Sequence, residues 1–296
     1  MSAISKDQVT IVIPVKNEEL AIAKVITELL EEGYQNILVV DGYSSDQTQQ
    51  IVNGHSNINF ICQHGKGKTG AVKTAVEHVT TPYMLVIDGD YTYPAKDIQR
   101  LLLHGHLYDQ VIGTRDRTNI PKMHRFGNKV ITAAFNLLFG TKLSDVCSGM
   151  YLLKTDAAKQ LALNTTGFAT EVEIAAQTAT NHSVVDVPIG YRERIGKRKL
   201  STLNGFDIIF AVLTKARKYN PVLFYSALTS LALIPALGIL GWVLFRQLTV
   251  GVYHNGWALI GVLLLLFSAQ SISLAAISSL MKRIEQRLTS NIKNRN

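Results

Sequence analysis

Two aspartates, Asp88 and Asp90, stand one residue apart directly after the apolar run 83–87. Such a run is typical of a buried strand, which would deliver both carboxylates to its end. A hard cation such as Mg²⁺ is commonly held by one or two carboxylates together with substrate phosphates. The pair therefore favours metal-dependent chemistry on a nucleoside diphosphate.

Asp-Gly-Asp is also ordinary turn chemistry, and taken alone the motif leaves that alternative open. A calcium-binding EF-hand loop is disfavoured. Counting from Asp88 puts Tyr93 where that loop requires glycine, and Gln99 where it requires a bidentate glutamate.

Short apolar segments alternate with amphipathic segments through the first two thirds of the chain. The pattern predicts strands at 9–15, 36–40, 58–62, 83–87, 110–113 and 150–153, and helices at 18–32, 46–53, 68–79, 94–104, 128–139 and 170–180. This alternation is typical of an α/β fold with a mostly parallel sheet covered on both faces.

Ligands of such sheets gather at the carboxyl ends of the strands. Three predicted strands end in clusters of acids, amides and hydroxyls, at 14–18, 41–46 and 88–90. Three polar strand ends at one edge favour a functional site over three unrelated turns.

The segment 65–70 satisfies the glycine pattern of dinucleotide-binding proteins, but it follows the third predicted strand, whereas that motif follows the first. A P-loop would need glycine at position 62, where Cys62 stands. We expect a glycine-rich helix entry whose amides and Lys68 approach a phosphate, with a plain turn as the alternative.

Two uncharged apolar stretches, 221–245 and 257–281, are each near the roughly 20 residues that cross a bilayer. They predict two membrane spans, with a buried pair of core helices as the alternative. The segment 201–219, between the main domain and the first apolar stretch, predicts an amphipathic helix that lies against the membrane surface.

The net charge of +8 is concentrated beside these stretches, with +6 over 192–218 and +4 over 282–296, whereas 1–191 carry −3. This is the positive-inside pattern, which places the main domain in the cytoplasm and disfavours nucleic acid as a partner. Cys62 and Cys147 have no spacing typical of a metal site or a disulfide framework.

Five motifs, in this order, resemble those of glycosyltransferase family 2 with the GT-A fold. They lie at 13–18, 40–46, 88–90, 145–149 and 194–200. With its two apolar stretches the chain resembles the polyprenyl-phosphate hexosyltransferases, the group of dolichol-phosphate mannose synthase. The resemblance implies a catalytic domain at 1–200, the amphipathic helix, a two-helix transmembrane hairpin at 220–281 and a basic tail at 282–296.

The resemblance also implies roles for individual residues. Asp88 and Asp90 would hold Mg²⁺ or Mn²⁺, and Asp145 would lie near the reacting centre as a third catalytic residue. The residues expected to bind the nucleotide sugar are Pro14, Lys16, Glu18, Asp41, Lys68, Asp88, Gly89 and Asp90. Those expected to bind the acceptor phosphate or the diphosphate are Arg117, Arg194 and Lys199.

The implied reaction is inverting transfer of a hexose from UDP-GlcNAc, UDP-Glc or GDP-Man to dolichyl or polyprenyl phosphate at the cytoplasmic membrane face. A lipid monophosphate has a second pKa near 6, so it needs no strong general base. The alternatives are a polysaccharide synthase of the same family, a Rossmann oxidoreductase and a non-catalytic membrane scaffold. A homo-oligomer is expected by analogy with such relatives.

Overall fold

The computed structural model describes residues 3–56, 58–116, 118–164, 170–196, 210, 212–217 and 220–293, with side chains up to 281. The chain forms two compact units. One comprises Met1–Asn136 and Gly140–Val212, and the other Leu137–Phe139 and Leu213–Asn296.

The first unit is built on a seven-stranded sheet with the strand order β3-β2-β1-β4-β6-β5-β7. The strands are β1 (Val9–Val15), β2 (Ile37–Asp41), β3 (Asn59–Cys62), β4 (Tyr83–Val86), β5 (Gln110–Arg115), β6 (Tyr151–Lys154) and β7 (Val184–Ile189). Every pairing is parallel except the two made by β6. The predicted α/β class with a mostly parallel sheet is confirmed.

Helices connect these strands. They are α1 (Ile22–Glu31), α2 (Thr48–Asn53), α3 (Gly67–His78), α4 (Ile98–Leu102), α5 (Lys122–Phe139), α6 (Thr155–Lys159) and α7 (Thr170–Asn181), with short 3₁₀ turns at Lys6–Gln8 and Ala95–Asp97. The central strands are apolar along nearly their whole length because both faces of the sheet are covered. The apolar residues of α1, such as Ile22, Ile26 and Leu29, belong to the core cluster with those of β1.

The direction of β6 departs from a purely parallel alternation. The chain leaves β5 at the carboxyl edge of the sheet, and the loop before β6 lies at that same edge, where Gly149 packs on Asp88. It therefore enters β6 from that edge and runs antiparallel, with Tyr151 opposite Val86 of β4. As a result, the loop before β6 lies against the end of β4.

Several predicted boundaries were wrong, and β7 and α6 were missed. α1 begins at Ile22, after a turn in which the Glu18 carbonyl accepts hydrogen bonds from the backbone N–H groups of Ala21 and Ile22. The backbone N–H of Glu18 itself donates to the hydroxyl of Thr48. α5 begins at Lys122, directly after Pro121. β7 contains Pro188, which is tolerated because β7 is an edge strand.

The second unit contains two long helices, α8 (Pro221–Val250) and α9 (Asn255–Lys293). The mean hydropathy of their most apolar windows is 2.1, and only 22% and 17% of those windows are buried. A core helix of a soluble protein would be mostly buried, whereas these expose leucine, isoleucine and phenylalanine. Both helices could therefore span a membrane, as predicted. Most of the predicted amphipathic helix at 201–219 lies outside the described residues.

Candidate active site

The turn after β4 carries Asp88 and Asp90 at the carboxyl edge of the sheet. Gly89 separates them and lies against β1, where a Cβ atom would come 2.8 Å from Cγ1 of Val15. The Asp90 carboxylate accepts hydrogen bonds from the backbone N–H of Thr92 at 3.1 Å and from its hydroxyl at 2.5 Å. The tight packing of Gly89 and these two bonds fix Asp90 beside the strand end.

Lys68, the second residue of α3, is shared between two carboxylates. Its Nζ pairs with Asp88, and it lies 2.5 Å from Oε1 of Glu171, the second residue of α7. Burial alone would lower the pKa of Lys68, but the charges of Asp88 and Glu171 outweigh it and hold the pKa well above its usual value. The ammonium therefore stays charged in this largely buried position.

Arg194 is shared in the same way between Asp90 and Glu18. Its Nη1 donates to Oδ2 of Asp90 and its Nη2 donates to Oε1 of Glu18, each at 2.6 Å. Burial, and then the charge of Asp88, raise the pKa of Asp90. The two aspartates are therefore close enough to repel each other, as expected of carboxylates that share one cation.

These six side chains form a group that we call the edge cluster. Its members are Glu18, Lys68, Asp88, Asp90, Glu171 and Arg194. Four carboxylates and two cations leave it with a formal charge of −2, which suits a divalent cation.

No set of three or more His, Cys, Asp or Glu side chains could hold a metal unaided among the residues that the structure describes. Two carboxylates at a strand end nevertheless fit Mg²⁺ or Mn²⁺, because substrate phosphates and water complete the coordination of such ions. The donor set thus fits a cation that binds together with a diphosphate.

The segment after β7 holds Arg194 in place. The backbone N–H of Arg192 donates to the carbonyl of Thr92 at 2.8 Å, and that of Ile195 to the carbonyl of Asp90 at 3.3 Å. The Arg192 guanidinium makes two hydrogen bonds of 2.7 Å to Glu28 of α1. This segment is therefore fastened both to the aspartate turn and to α1.

The loop before β6 packs directly on Asp88. A Cβ atom on Gly149 would overlap the Asp88 carboxylate, so only glycine fits here without a shift. The N–H of Gly149 donates to the hydroxyl of Tyr93 at 2.6 Å, and the Tyr93 ring meets that of Tyr191 edge to face, with centroids 5.3 Å apart. The reversed direction of β6 thus builds one wall of the site.

Asp145, which begins that loop, is bound on both oxygens. Arg115 donates to it from Nε at 2.6 Å and from Nη2 at 2.9 Å, and the backbone N–H of Cys147 adds a third bond at 3.2 Å. The Arg115 guanidinium also lies 5.4 Å from the centre of the Tyr191 ring. Asp145 is thus a partner of a buried cation.

The ends of β1 and β2 form the other side of the edge. Asp41 accepts hydrogen bonds from the Ser44 backbone N–H at 2.8 Å and from its hydroxyl at 2.5 Å. Asn17 and Tyr43 have left-handed backbone angles, φ of 52° and 60°, as does Tyr91 after β4, with φ of 67°. Uncommon conformations of this kind concentrate at functional sites, and here all three follow strand ends.

A small cleft opens beside Asp145. Its lining residues are Ile120, Arg125, Asn128, Lys129, Ser144 and Asp145. The Nη2 atom of Arg125 reaches the carbonyl of Ile120 at 3.3 Å, whereas its buried Nε has no hydrogen-bond partner in the described part of the chain. The cleft thus offers two cationic side chains next to the Asp145 ion pair.

The structure brings together most of the residues predicted to act. Glu18, Lys68, Asp88, Asp90 and Arg194 meet in the edge cluster, and Gly89 lies between the aspartates. Pro14 and the exposed Lys16 lie at the end of β1, next to Asp41, whose strand pairs with β1. Arg117 and Lys199 lie outside the described residues. The binding roles of all these residues stay predictions.

Sequence reasoning missed Glu171, Tyr93 and Arg192 as members of the site. The start of a predicted helix was the only signal for Glu171, and nothing in the sequence links it to Lys68.

The model of the family described as glycosyl transferase family 2 matches residues 10–162, slightly more than half of the chain. The chain belongs to glycosyltransferase family 2. The oxidoreductase and scaffold alternatives are thereby set aside, and the predicted enzyme class is confirmed.

This glycosyltransferase is similar to the glycosyltransferase AglJ of Haloferax volcanii, with 31% identity over 95% of the chain and 98% of that protein. It is also similar to the dolichyl-phosphate hexose transferase of the same organism, with 29% identity over 69% of the chain and 92% of that protein. The first match spans both units, including the two long helices.

Among solved structures it resembles glucosyl-3-phosphoglycerate synthase of Mycobacterium tuberculosis in complex with Mn²⁺, UDP-glucose and phosphoglyceric acid. The TM-score is 0.59 with 17% identity over 70% of this chain and 79% of that chain. At this identity the likeness shows the fold alone, which is the predicted GT-A type.

Proposed function

We propose that this glycosyltransferase transfers a hexose from a nucleoside-diphosphate sugar to a polyprenyl phosphate such as dolichyl phosphate, with inversion at the anomeric carbon. The observation that carries the proposal is the edge cluster, where two strand-end aspartates lie beside Lys68 and Arg194. The name of the similar dolichyl-phosphate hexose transferase supports the choice of acceptor.

Asp88 and Asp90 would hold Mg²⁺ or Mn²⁺, which would neutralise charge on the donor diphosphate. The structural likeness to an enzyme crystallised with Mn²⁺ and UDP-glucose supports this assignment. Pro14, Lys16, Glu18 and Asp41 would contact the nucleotide from the ends of β1 and β2.

Lys68 and Arg194 would then stabilise the leaving diphosphate as its charge develops. Both cations are already positioned by two carboxylates each, so little reorganisation is needed during the reaction. Positioning of this kind is a major source of catalysis in group transfer.

A polyprenyl monophosphate would enter without a general base, because it is already largely ionised at neutral pH. Asp145 is not available as such a base, because both of its oxygens already accept hydrogen bonds from Arg115 and Cys147. Arg125 and Lys129, which line the small cleft, would contact the acceptor phosphate from one side. Arg117 and Lys199 are further candidates for this contact on the family resemblance alone.

The lipid part of the acceptor would lie in a membrane spanned by α8 and α9. The basic segments flanking these helices support a cytoplasmic position for the catalytic unit by the positive-inside rule. Assembly as a homo-oligomer is part of the proposal by analogy alone.

The proposal is tested with the full chain purified in detergent and supplied with Mn²⁺. A panel of labelled UDP- and GDP-hexoses is offered with either dolichyl phosphate or 3-phosphoglycerate as the acceptor. We expect one donor to give a product that partitions into organic solvent, and only with the lipid. Transfer to the soluble phosphate alone would overturn the proposed acceptor.

A further inference from the structure

Each aspartate of the edge cluster shares its cation with a glutamate. Arg194 joins Asp90 to Glu18, and Lys68 joins Asp88 to Glu171. Glu18 lies in a motif already expected to bind the nucleotide. Glu171 lies at the start of α7 and belongs to none of the predicted motifs, so its contact with Lys68 needs an explanation of its own.

The Lys68–Glu171 pair is held by the protein interior. The side chains of Lys68 and Glu171 are 21% and 11% exposed. Beside them, the hydroxyls of Thr69 and Thr170 form a hydrogen bond of 2.7 Å, and both threonines are buried. This bond joins the first turns of α3 and α7 and keeps the ion pair in register. The pair is therefore unlike a surface salt bridge, which contributes little.

The sharing of the Lys68 ammonium between Asp88 and Glu171 affects how Asp88 can bind a divalent cation. A divalent cation that coordinates Asp88 competes with Lys68 for the same oxygens. Because Glu171 also holds Lys68, the ammonium can give up Asp88 and still be neutralised. If Glu171 were removed, Asp88 would be the one carboxylate left among the observed partners of Lys68. Lys68 would then compete more strongly with the metal for the oxygens of Asp88.

We propose that Glu171 is a positioning residue, which holds Lys68 so that Asp88 can coordinate the divalent cation while the ammonium faces the donor diphosphate. The inference rests on the proposed function, because it assumes that Asp88 and Asp90 bind the metal. It assigns Glu171 an effect on metal binding that acts through Lys68.

The test is a double-mutant cycle on Mn²⁺ binding, measured by calorimetry or electron paramagnetic resonance in the presence of UDP or GDP, whichever of the two the wild-type chain binds. Glu171→Gln should weaken Mn²⁺ binding by about 10- to 100-fold, as expected for partners of metal ligands. In a Lys68→Met background the same change should have an effect within about twofold, the range for independent changes. Glu77→Gln, on the exposed part of α3, removes the same charge as a control and should leave binding unchanged.

An equal loss of Mn²⁺ affinity in both backgrounds would overturn the inference, because Glu171 would then act without Lys68. No loss in either background would also overturn it. If Glu171→Gln unfolds the protein, the Lys68→Met/Glu171→Gln chain restores charge balance and should fold, and thermal melting checks this. Failure of the wild-type chain to bind Mn²⁺ in the presence of either nucleotide would instead refute the proposed function itself.

Discussion

Arg115 binds both carboxylate oxygens of Asp145, at 2.6 Å from Nε and 2.9 Å from Nη2. Both side chains are largely buried, and the guanidinium also lies over the Tyr191 ring. Burial would lower the pKa of Arg115, but the nearby groups, first Tyr93 and then Asp145, raise it well above its usual value. The pair joins the end of β5 to the loop that packs on Asp88.

Replacing Asp145 by asparagine should destabilise the catalytic unit strongly. The change leaves Arg115 buried without a counter-charge, which typically costs about 3–5 kcal/mol. Denaturant unfolding of the variant measures this loss. The Arg115→Met/Asp145→Leu chain should recover most of the stability. It should nevertheless lack transferase activity, because the wall beside Asp88 has lost its polar pair. Unchanged stability in Asp145→Asn would contradict the structural role given to the pair.

Gly149→Ala should damage the proposed metal site while leaving the fold intact. The new methyl group would overlap the Asp88 carboxylate, so this side chain must move. We expect Mn²⁺ affinity to fall by about tenfold or more, as for other disturbances of ligand orientation. Gly127→Ala is the matched control, because a Cβ atom there meets nothing within 4 Å. Equal Mn²⁺ affinities in the two variants would show that Asp88 is not a ligand.

Arg125→Met should impair use of the acceptor and spare binding of the donor. Loss of a charged hydrogen bond to the acceptor phosphate should raise the KM for dolichyl phosphate about tenfold or more. The affinity for Mn²⁺ and the nucleotide sugar should not change. Lys159→Met, on the exposed face of α6, is the control for loss of one positive charge. A parallel loss of donor affinity would place Arg125 in the donor site instead.

Asp109 should make stability depend on pH in the acidic range. Burial alone would raise its pKa, but hydrogen bonds from Ser183 and Lys154 outweigh it and lower the pKa to about 2. A carboxylate with a lowered pKa stabilises the fold at pH values above its pKa in the unfolded chain, near 3.8. It loses this effect as the pH falls through about 2.

Asp109→Asn should therefore cost about 1.5–3 kcal/mol at neutral pH, the usual contribution of hydrogen bonds to a charged group. The difference from the wild-type chain should close between about pH 4 and pH 2. Melting temperatures across this range measure it, with Asp156→Asn as an exposed control. A difference in melting temperature that persists at pH 2 would mean that Asp109 acts through its shape and not its charge.

Local patterns were enough to predict the end of β4 and its two aspartates. An apolar run followed by Asp-Gly-Asp is a local signal, and burial of both faces follows from it. The partners of these aspartates are not local, since Arg194 is 104 residues from Asp90 and 176 from Glu18. Only the family resemblance placed Arg194 near them.

Glu171 and Gly149 show why the rest of the site escaped prediction. Glu171 reaches Lys68 because α3 and α7 begin side by side, which the hydrogen bond between Thr69 and Thr170 fixes. Gly149 reaches Asp88 because β6 runs antiparallel to β4. Both relations depend on how distant elements pack, and periodicity in the sequence carries no information about that.

The most direct test of the account is the yield of lipid-linked sugar from wild-type protein and from Asp90→Asn, each with Mn²⁺, with EDTA, and with Mn²⁺ restored. We predict a chelator-sensitive product that returns with Mn²⁺ in the wild type and falls by about 10²- to 10³-fold or more in the variant. The variant should melt close to the wild-type temperature, since asparagine can still accept the bonds from Thr92. A product that persists in EDTA, or that Asp90→Asn still makes at the wild-type rate, would contradict metal-dependent transfer at this site.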